Sequence, residues 1–121
     1  MMSRRRVRLG RQGEDLAVRE LVRRGYQLVE RNWRCQTGEV DIVARRGDAL
    51  VFYEVRTRRG TECGTPEESV TFVKKQRMID VALAYLGAHD IDDVDWSVGL
   101  VAIEMDRAGH TSRLEVYETL N

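Results

Sequence analysis

Two acidic residues stand where a β-hairpin would be expected to carry strand-forming side chains. The segment GEVDIVARRGDALVFYEVRTR, residues 38–58, reads as two short strands joined by the turn signal RGDA. Asp and Glu are poor strand formers, and like charges that face each other across a sheet are destabilising. A cation held between Asp41 and Glu54 would remove that cost if the two side chains meet.

The register of the hairpin decides whether they meet. With a two- or four-residue loop centred on 47–48, residues whose numbers sum to 95 are opposite each other. Asp41 then faces Glu54, and Glu39 faces Arg56. The other face carries apolar side chains: Val40, Ile42, Tyr53 and Val55. An odd loop would mix polar and apolar residues on both faces, so the even register is favoured.

A hard cation is the ligand that two facing carboxylates favour. Mg²⁺ takes carboxylate oxygens, keeps several waters, and is commonly held by one or two carboxylates plus substrate phosphates. Glu14, near the start of the predicted first helix, is a candidate third ligand, or else an exposed residue whose charge suits the helix dipole. The alternative for the hairpin is a solvated surface with a Glu39–Arg56 ion pair and no metal. The residues alone leave both alternatives open.

The apolar spacing places these acids on the elements of one α/β domain. It predicts a first helix over 8–24, ended by Gly25. The second helix is expected to begin at the capping signal TPEE, residues 65–68, and to run to about Gly87. Strands are predicted over 26–34, 39–45, 50–58, 96–105 and 112–119. This order predicts a single domain over 1–121, with a mixed central sheet flanked by helices.

Two sets of residues predict how the helices pack. Gly10 and Gly13 lie on one side of the first helix, where missing side chains let another backbone approach closely. The second helix carries an apolar stripe at Val70, Val73, Met78, Val81, Ala82, Tyr85 and Leu86. Each helix is therefore expected to pack one face against the sheet.

The composition favours one compact domain and excludes a membrane-spanning segment. The chain has 121 residues, 33% charged and 42% hydrophobic, which is enough for one core and too few for two. No apolar run approaches the ~20 residues that cross a bilayer, and the basic start lacks the apolar stretch of a secretory signal. We expect a cytoplasmic protein with no membrane partner and with a flexible basic segment over residues 1–8.

The cysteines and histidines do not predict a metal site of their own. Cys35 and Cys63 form no CxxC pair, and His89 and His110 lack ligand spacing and fall beside turns. Two reduced thiols and two solvated loop histidines are the expectation, and zinc is disfavoured.

The charge is uneven along the chain although it sums to zero. Residues 1–59 hold 15 Arg against 8 acids, giving +7, and residues 60–121 hold 5 basic residues against 12 acids, giving −7. Arginine forks bind phosphate oxygens well, so the basic half can supply contacts to nucleic acid. The alternative is a set of solvated faces, and charge alone only slightly favours nucleic acid.

These residues also carry a family resemblance. The segments RLGRQGEDLAVRELVRRGYQLVERNWR, GEVDIVA, LVFYEVRTR and GTPEESVTFVKKQRMIDVALAYL resemble the small bacterial YraN-type proteins. Those are predicted endonuclease-like proteins, distantly similar to archaeal Holliday junction resolvases. The resemblance runs from about Leu9 to Leu86. Through the resolvases it implies the PD-(D/E)XK nuclease superfamily and its restriction-endonuclease-like α/β fold.

The resemblance implies roles for individual residues. Glu14, Asp41 and Glu54 correspond to the acids that would hold Mg²⁺ or Mn²⁺, and the two strand acids would be catalytic. The lysine of the family's ExK element is replaced by Arg56, which cannot act as a general base but can stabilise charge on a phosphate. Lys74 could substitute for that lysine if the second helix packs beside the site; otherwise it is a solvated helix lysine.

Two functional classes follow. In the first, the protein is a metal-dependent endonuclease that hydrolyses phosphodiester bonds in DNA, at structured or branched sites. In the second, the nuclease fold binds nucleic acid or a protein partner without cutting. A homodimer is compatible with either class.

Overall fold

One mixed sheet between two helices forms the part of the chain that the computed structural model describes, residues 4–60 and 64–120, with side chains from Leu9 onward. The elements are α1 (Arg4–Arg23), β1 (Gln27–Cys35), β2 (Gly38–Arg46), β3 (Ala49–Arg59), a 3-10 turn (Glu67–Ser69), α2 (Phe72–Ala88), β4 (Trp96–Met105) and β5 (Thr111–Tyr117). The strands lie side by side in sequence order, and only the β3–β4 pair is parallel. The predicted α/β fold with a mixed sheet is confirmed. None of the described helices has the length and apolar character needed to cross a bilayer.

The first helix begins earlier than its apolar pattern predicts. Its first residue is Arg4, four residues before the predicted start at Arg8; residues 1–3 lie outside the described chain. Its end is the predicted one. The Tyr26 amide donates to the Leu21 carbonyl at 2.9 Å, and the amide of Gly25, at φ 97°, donates to the carbonyl three residues back at 3.0 Å. This pair of bonds is a Schellman cap, which satisfies the last carbonyls of the helix.

Each helix covers one face of the sheet with its own apolar cluster. The α1 side is built around Ala17, Leu21, Ile42, Tyr53, Val101 and Ile103. The α2 side is built around Val43, Phe52, Met78, Val81, Ala82, Tyr85 and Val98. The prediction that Val73 belongs to the apolar stripe of α2 is wrong, because this side chain is 65% exposed. The two clusters hold both helices on the sheet by burying apolar surface.

Close approach of α1 to β3 depends on a glycine. A Cβ atom placed on Gly13 would lie 2.0 Å from the Oγ1 atom of Thr57. That separation is far inside van der Waals contact, so a side chain here would push the helix off the strand. The predicted role of Gly13 is therefore confirmed, whereas Gly10 has open space around it.

The start of α2 differs from the prediction. The predicted capping box forms, with the Thr65 amide donating to Glu68 Oε1 at 3.0 Å and the Glu68 amide donating to Thr65 Oγ1 at 3.2 Å. It caps only the 3-10 turn, because Val70 is extended at φ −93° and ψ 93°. A second cap then starts α2: the Lys74 amide donates to Thr71 Oγ1 at 3.2 Å.

The β2–β3 hairpin has the predicted register. Its pairs run from Arg46↔Ala49 to Ile42↔Tyr53, each summing to 95. Strand alternation is interrupted at Asp41, however, and Val40 packs on the α2 side although Ile42 packs on the α1 side. The prediction that Val40 and Ile42 share a face is wrong. The β1–β2 ladder skips position 41 as well, opposite Asn32 at φ 54°, and an irregularity of this kind re-aims side chains.

Candidate functional site

A cleft of about 350 Å³ opens between the β2–β3 hairpin and the first half of α2. Polar and charged side chains line much of it. Its lining residues are Thr37, Gly38, Glu39, Asp41, Glu54, Lys74, Arg77, Met78 and Val81. The structure therefore brings three of the five predicted site residues to one cavity.

Asp41 lies where the hairpin ladder ends. The last regular backbone pair is Ile42↔Tyr53, one step before the acid. Beyond it, the Val55 amide donates to Oδ2 of Asp41 at 2.8 Å. A side-chain oxygen thus accepts from an amide of β3, which fixes the carboxylate at the edge of the cleft.

The environment of Asp41 opposes its negative charge. Its pKa is raised from 3.8 to about 7, chiefly by burial and then by the nearby charge of Glu54. The hydrogen bond from Val55 lowers the pKa, while the charges of Glu14 and Glu39 raise it further. A carboxyl group in this position favours a bound proton or a neighbouring cation at neutral pH.

Glu54 is the sole charged side chain, among those described, in the buried class, at 7% exposure. Two cations approach its Oε2 atom: Nε of Arg56 at 3.0 Å and Nζ of Lys74 at 3.3 Å. Lys74 lies in the first turn of α2, which the second cap starts, and its side chain extends from there to Glu54 on β3. Helix α2 therefore packs beside the site, which was the condition for Lys74 to take part.

The remaining predicted acid, Glu14, and the cleft residue Glu39 each pair with an arginine of β1. Glu14 Oε1 lies 3.5 Å from Nη2 of Arg31, and Glu39 Oε2 lies 2.8 Å from Nε of Arg34. The Glu39–Arg56 ion pair of the metal-free alternative does not form, since β1 pairs with β2 and brings Arg34 opposite Glu39. Within the described residues, no three Asp, Glu, His or Cys side chains are grouped closely enough to hold a metal ion together.

Arg77 is a cleft residue that the sequence interpretation did not single out. It follows Lys74 by three positions on α2, and residues three apart share a helix face. This spacing was the feature of the sequence that could have identified Arg77 as a cleft residue. The cleft therefore has a basic rim, formed by Lys74 and Arg77 of α2, and acidic side chains from β2 and β3.

Cys35 and the two histidines are not among the residues that line the cleft. Cys35 is a free, half-buried thiol at the end of β1, and Cys63 is outside the described residues. The ring of His89 stacks on Tyr85 at 3.9 Å, while His110 is 80% exposed. His110 is solvated as expected, whereas His89 is partly covered by its stacking partner.

The fold and the position of the acids define a class. A five-stranded mixed sheet between two helices, with an acid on each of two adjacent central strands, is a restriction-endonuclease-like α/β domain. The chain belongs to the family described as "Uncharacterised protein family UPF0102", whose model matches residues 13–116. This membership confirms the resemblance to the YraN-type proteins.

Relatives named UPF0102 protein are similar over most of their length. A protein of Roseiflexus castenholzii is 50% identical over 105 residues, covering 86% of this chain and 85% of the relative. A protein of Chloroflexus aurantiacus is 44% identical over 97 residues, covering 79% and 78%. A protein of Moorella thermoacetica is 41% identical over 115 residues, covering 95% and 96%.

Proposed function

We propose that this protein is a metal-dependent endonuclease that hydrolyses phosphodiester bonds in DNA, with structured or branched DNA as its substrate. The observation that carries the proposal is that Asp41 and Glu54 line one cleft together, with Nζ of Lys74 3.3 Å from Oε2 of Glu54. A like-charge pair is costly in a half-buried place and is a common sign of a functional site. The choice of branched DNA rests on the resemblance to Holliday junction resolvases.

The acid pair fits a hard divalent cation. Asp41 and Glu54 would hold Mg²⁺ or Mn²⁺, and the raised pKa of Asp41 supports a cation there, because its positive charge would offset the repulsion. Two carboxylates suffice for Mg²⁺, which keeps waters and takes substrate oxygens as further ligands. Glu14 would join through water after leaving Arg31, or act through its charge alone. A metal bound here would lower the pKa of a water and neutralise the phosphate.

The cations around Glu54 have separate roles in this proposal. Arg56 keeps its charge at every useful pH, so it would stabilise charge that develops on the phosphate oxygens. Lys74 carries an amine that can give up or take a proton, so it is the residue beside the acids that can hold the attacking water or protonate the leaving oxygen. The replaced lysine of the ExK element would thus be supplied from α2.

Nucleic acid as the partner is supported by charge. The +7 half of the chain contains α1 and the hairpin, and Lys74 and Arg77 add a basic rim to the cleft. Arginine-rich surfaces contact phosphates without regard to base sequence.

A non-catalytic binding module is the second candidate. Arg56 and Lys74 already approach Glu54, and the described residues lack a three-ligand cluster. A fold of this type can bind nucleic acid or protein after losing its chemistry.

The deciding experiment is nicking of supercoiled plasmid and cleavage of a synthetic four-way junction in Mg²⁺, Mn²⁺ or EDTA. The wild type should cut only with metal, and Asp41→Asn and Glu54→Gln should lose at least about a hundredfold in rate, the scale of a lost charge-stabilising group. Lys74→Ala should be slow, and Lys75→Ala is the matched control because Lys75 lines a different groove.

Two results would count against the proposal. Equal cutting by wild type and Asp41→Asn after identical purification would point to a contaminating nuclease. Binding of DNA and metal by the wild type without cutting of any substrate would leave the binding module.

A further inference from the structure

Strand β3 carries three arginines beyond Glu54, two on one face of the sheet and one on the other. Thr57 points to the α1 side, where it fills the space beside Gly13. Arg56 and Arg58 therefore point to the α2 side, with Glu54, and the exposed Arg59 points to the opposite side.

Arg58 has no ion-pair partner among the described carboxylates. Its neighbour across the parallel β3–β4 ladder is Glu104, but Glu104 Oε2 is bound by Nε of Arg113 at 3.0 Å. The other two guanidinium nitrogens of Arg113, Nη1 and Nη2, donate to the two carboxylate oxygens of Glu67, each at 2.7 Å. Glu104 and Glu67 thus both pair with Arg113, and Arg58 has no carboxylate partner among the described residues.

The guanidinium nitrogens nearest the strand are also unsatisfied. Nε of Arg58 and Nε of Arg56 are both buried without a hydrogen-bond acceptor in the described structure; the second lies 3.0 Å from Glu54 Oε2 as an ion pair. A buried donor without a partner is costly and is uncommon in native proteins. Two such donors, two residues apart on one face beside the cleft, indicate an anionic ligand.

We propose that Arg58 binds a backbone phosphate of the nucleic acid whose neighbouring phosphate occupies the cleft. This inference rests on the proposed function and gives the bound strand a path along β3, away from Asp41 and Glu54. Side chains two apart on a strand are about 7 Å from each other, a spacing that lets Arg56 and Arg58 contact successive phosphates of one strand. Each guanidinium can then direct a fork of N–H groups at phosphate oxygens.

The test is fluorescence anisotropy with a labelled four-way junction and a labelled 30-base-pair duplex, in Ca²⁺ without Mg²⁺, over a series of salt concentrations. Arg58→Ala should weaken binding about tenfold at 100 mM salt and reduce the slope of log affinity against log salt by about one, the value for one lost phosphate contact. Arg59→Ala is the matched control and should leave affinity and slope unchanged. Thermal melting of each variant checks folding, and Arg58→Gln is measured as well because it retains part of the side-chain stem.

The outcomes separate this inference from the proposed function. Equal slopes and affinities for wild type, Arg58→Ala and Arg58→Gln would overturn the phosphate role while DNA binding stands. A lower melting temperature with an unchanged slope would mean that Arg58 is structural, which also overturns it. If the wild type binds neither DNA, the proposed function falls and this inference falls with it.

Discussion

Replacing Asp41 with Asn should stabilise the metal-free protein at pH values above 7. The folded protein holds the proton of this carboxyl more tightly than the unfolded chain, since its pKa is raised from 3.8 to about 7. The free energy of unfolding of the wild type therefore falls as the pH rises from about 4 to about 7, and the loss is complete above that range. Three pKa units at about 1.36 kcal/mol each set a ceiling of about 4 kcal/mol.

Asparagine removes the charge and keeps an oxygen that can accept from the Val55 amide. The expected stabilisation in EDTA is therefore as much as about 4 kcal/mol at pH 8. It should be small near pH 4, where the folded carboxyl is protonated and the unfolded one is about half protonated. Urea denaturation at pH 4, 6 and 8 measures it, with Asp80→Asn, an exposed position on α2, as control. Mg²⁺ should raise the stability of the wild type and not of Asp41→Asn. A variant that is no more stable than the wild type at pH 8, or a difference that does not change with pH, would refute the argument that burial and the charge of Glu54 raise the pKa of Asp41.

Three further predictions concern other contacts. Arg56→Lys should keep or raise junction cleavage while Arg56→Ala lowers it about a hundredfold; equal rates for both variants would contradict a charge role. Gly13→Ala should lower the free energy of unfolding by about 1–3 kcal/mol, since the new Cβ would lie 2.0 Å from a β3 side chain, whereas Gly10→Ala should raise it by about 0.5–1 kcal/mol in urea melts. The pKa of Glu67 is lowered to about 2, chiefly by hydrogen bonds from Arg113, so the wild type loses stability as the pH falls from about 4.5 towards 2. Glu67→Gln should flatten that acid limb in thermal melts, and an unchanged limb would refute the contribution of this pair.

The hairpin could be predicted because its information is local. Its turn and its alternating pattern fix which residues face each other, and the register that brings Asp41 towards Glu54 is the observed one. The strand bounds agree with the prediction within two residues, and β4 spans 96–105 as expected. This part of the fold could be predicted because each pattern lies within one element or two neighbouring elements.

The rest depended on contacts between distant segments. Arg34 pairs with Glu39 because β1 lies beside β2, and Arg31 pairs with Glu14 because α1 packs against β1. Spacing within the hairpin reveals neither contact. Val40 lies on the opposite face from the predicted one because strand alternation is interrupted at Asp41, and the alternating sequence pattern does not predict that interruption. The capping signal TPEE forms a capping box at a 3-10 turn, because a second cap at Thr71, six residues after Thr65, starts α2.

The parallel pairing of β3 with β4 has a consequence for the order of folding. Strands β1, β2 and β3 are joined by short turns, whereas β4 joins β3 only after the chain has passed through α2. Local contacts close quickly and long crossovers slowly, so the hairpin is expected to form first. Asp41 and Glu54 then meet before Lys74 arrives on α2, and their repulsion opposes the earliest step. This repulsion should slow refolding, so the two acids proposed to hold a metal would also limit the rate at which the domain folds.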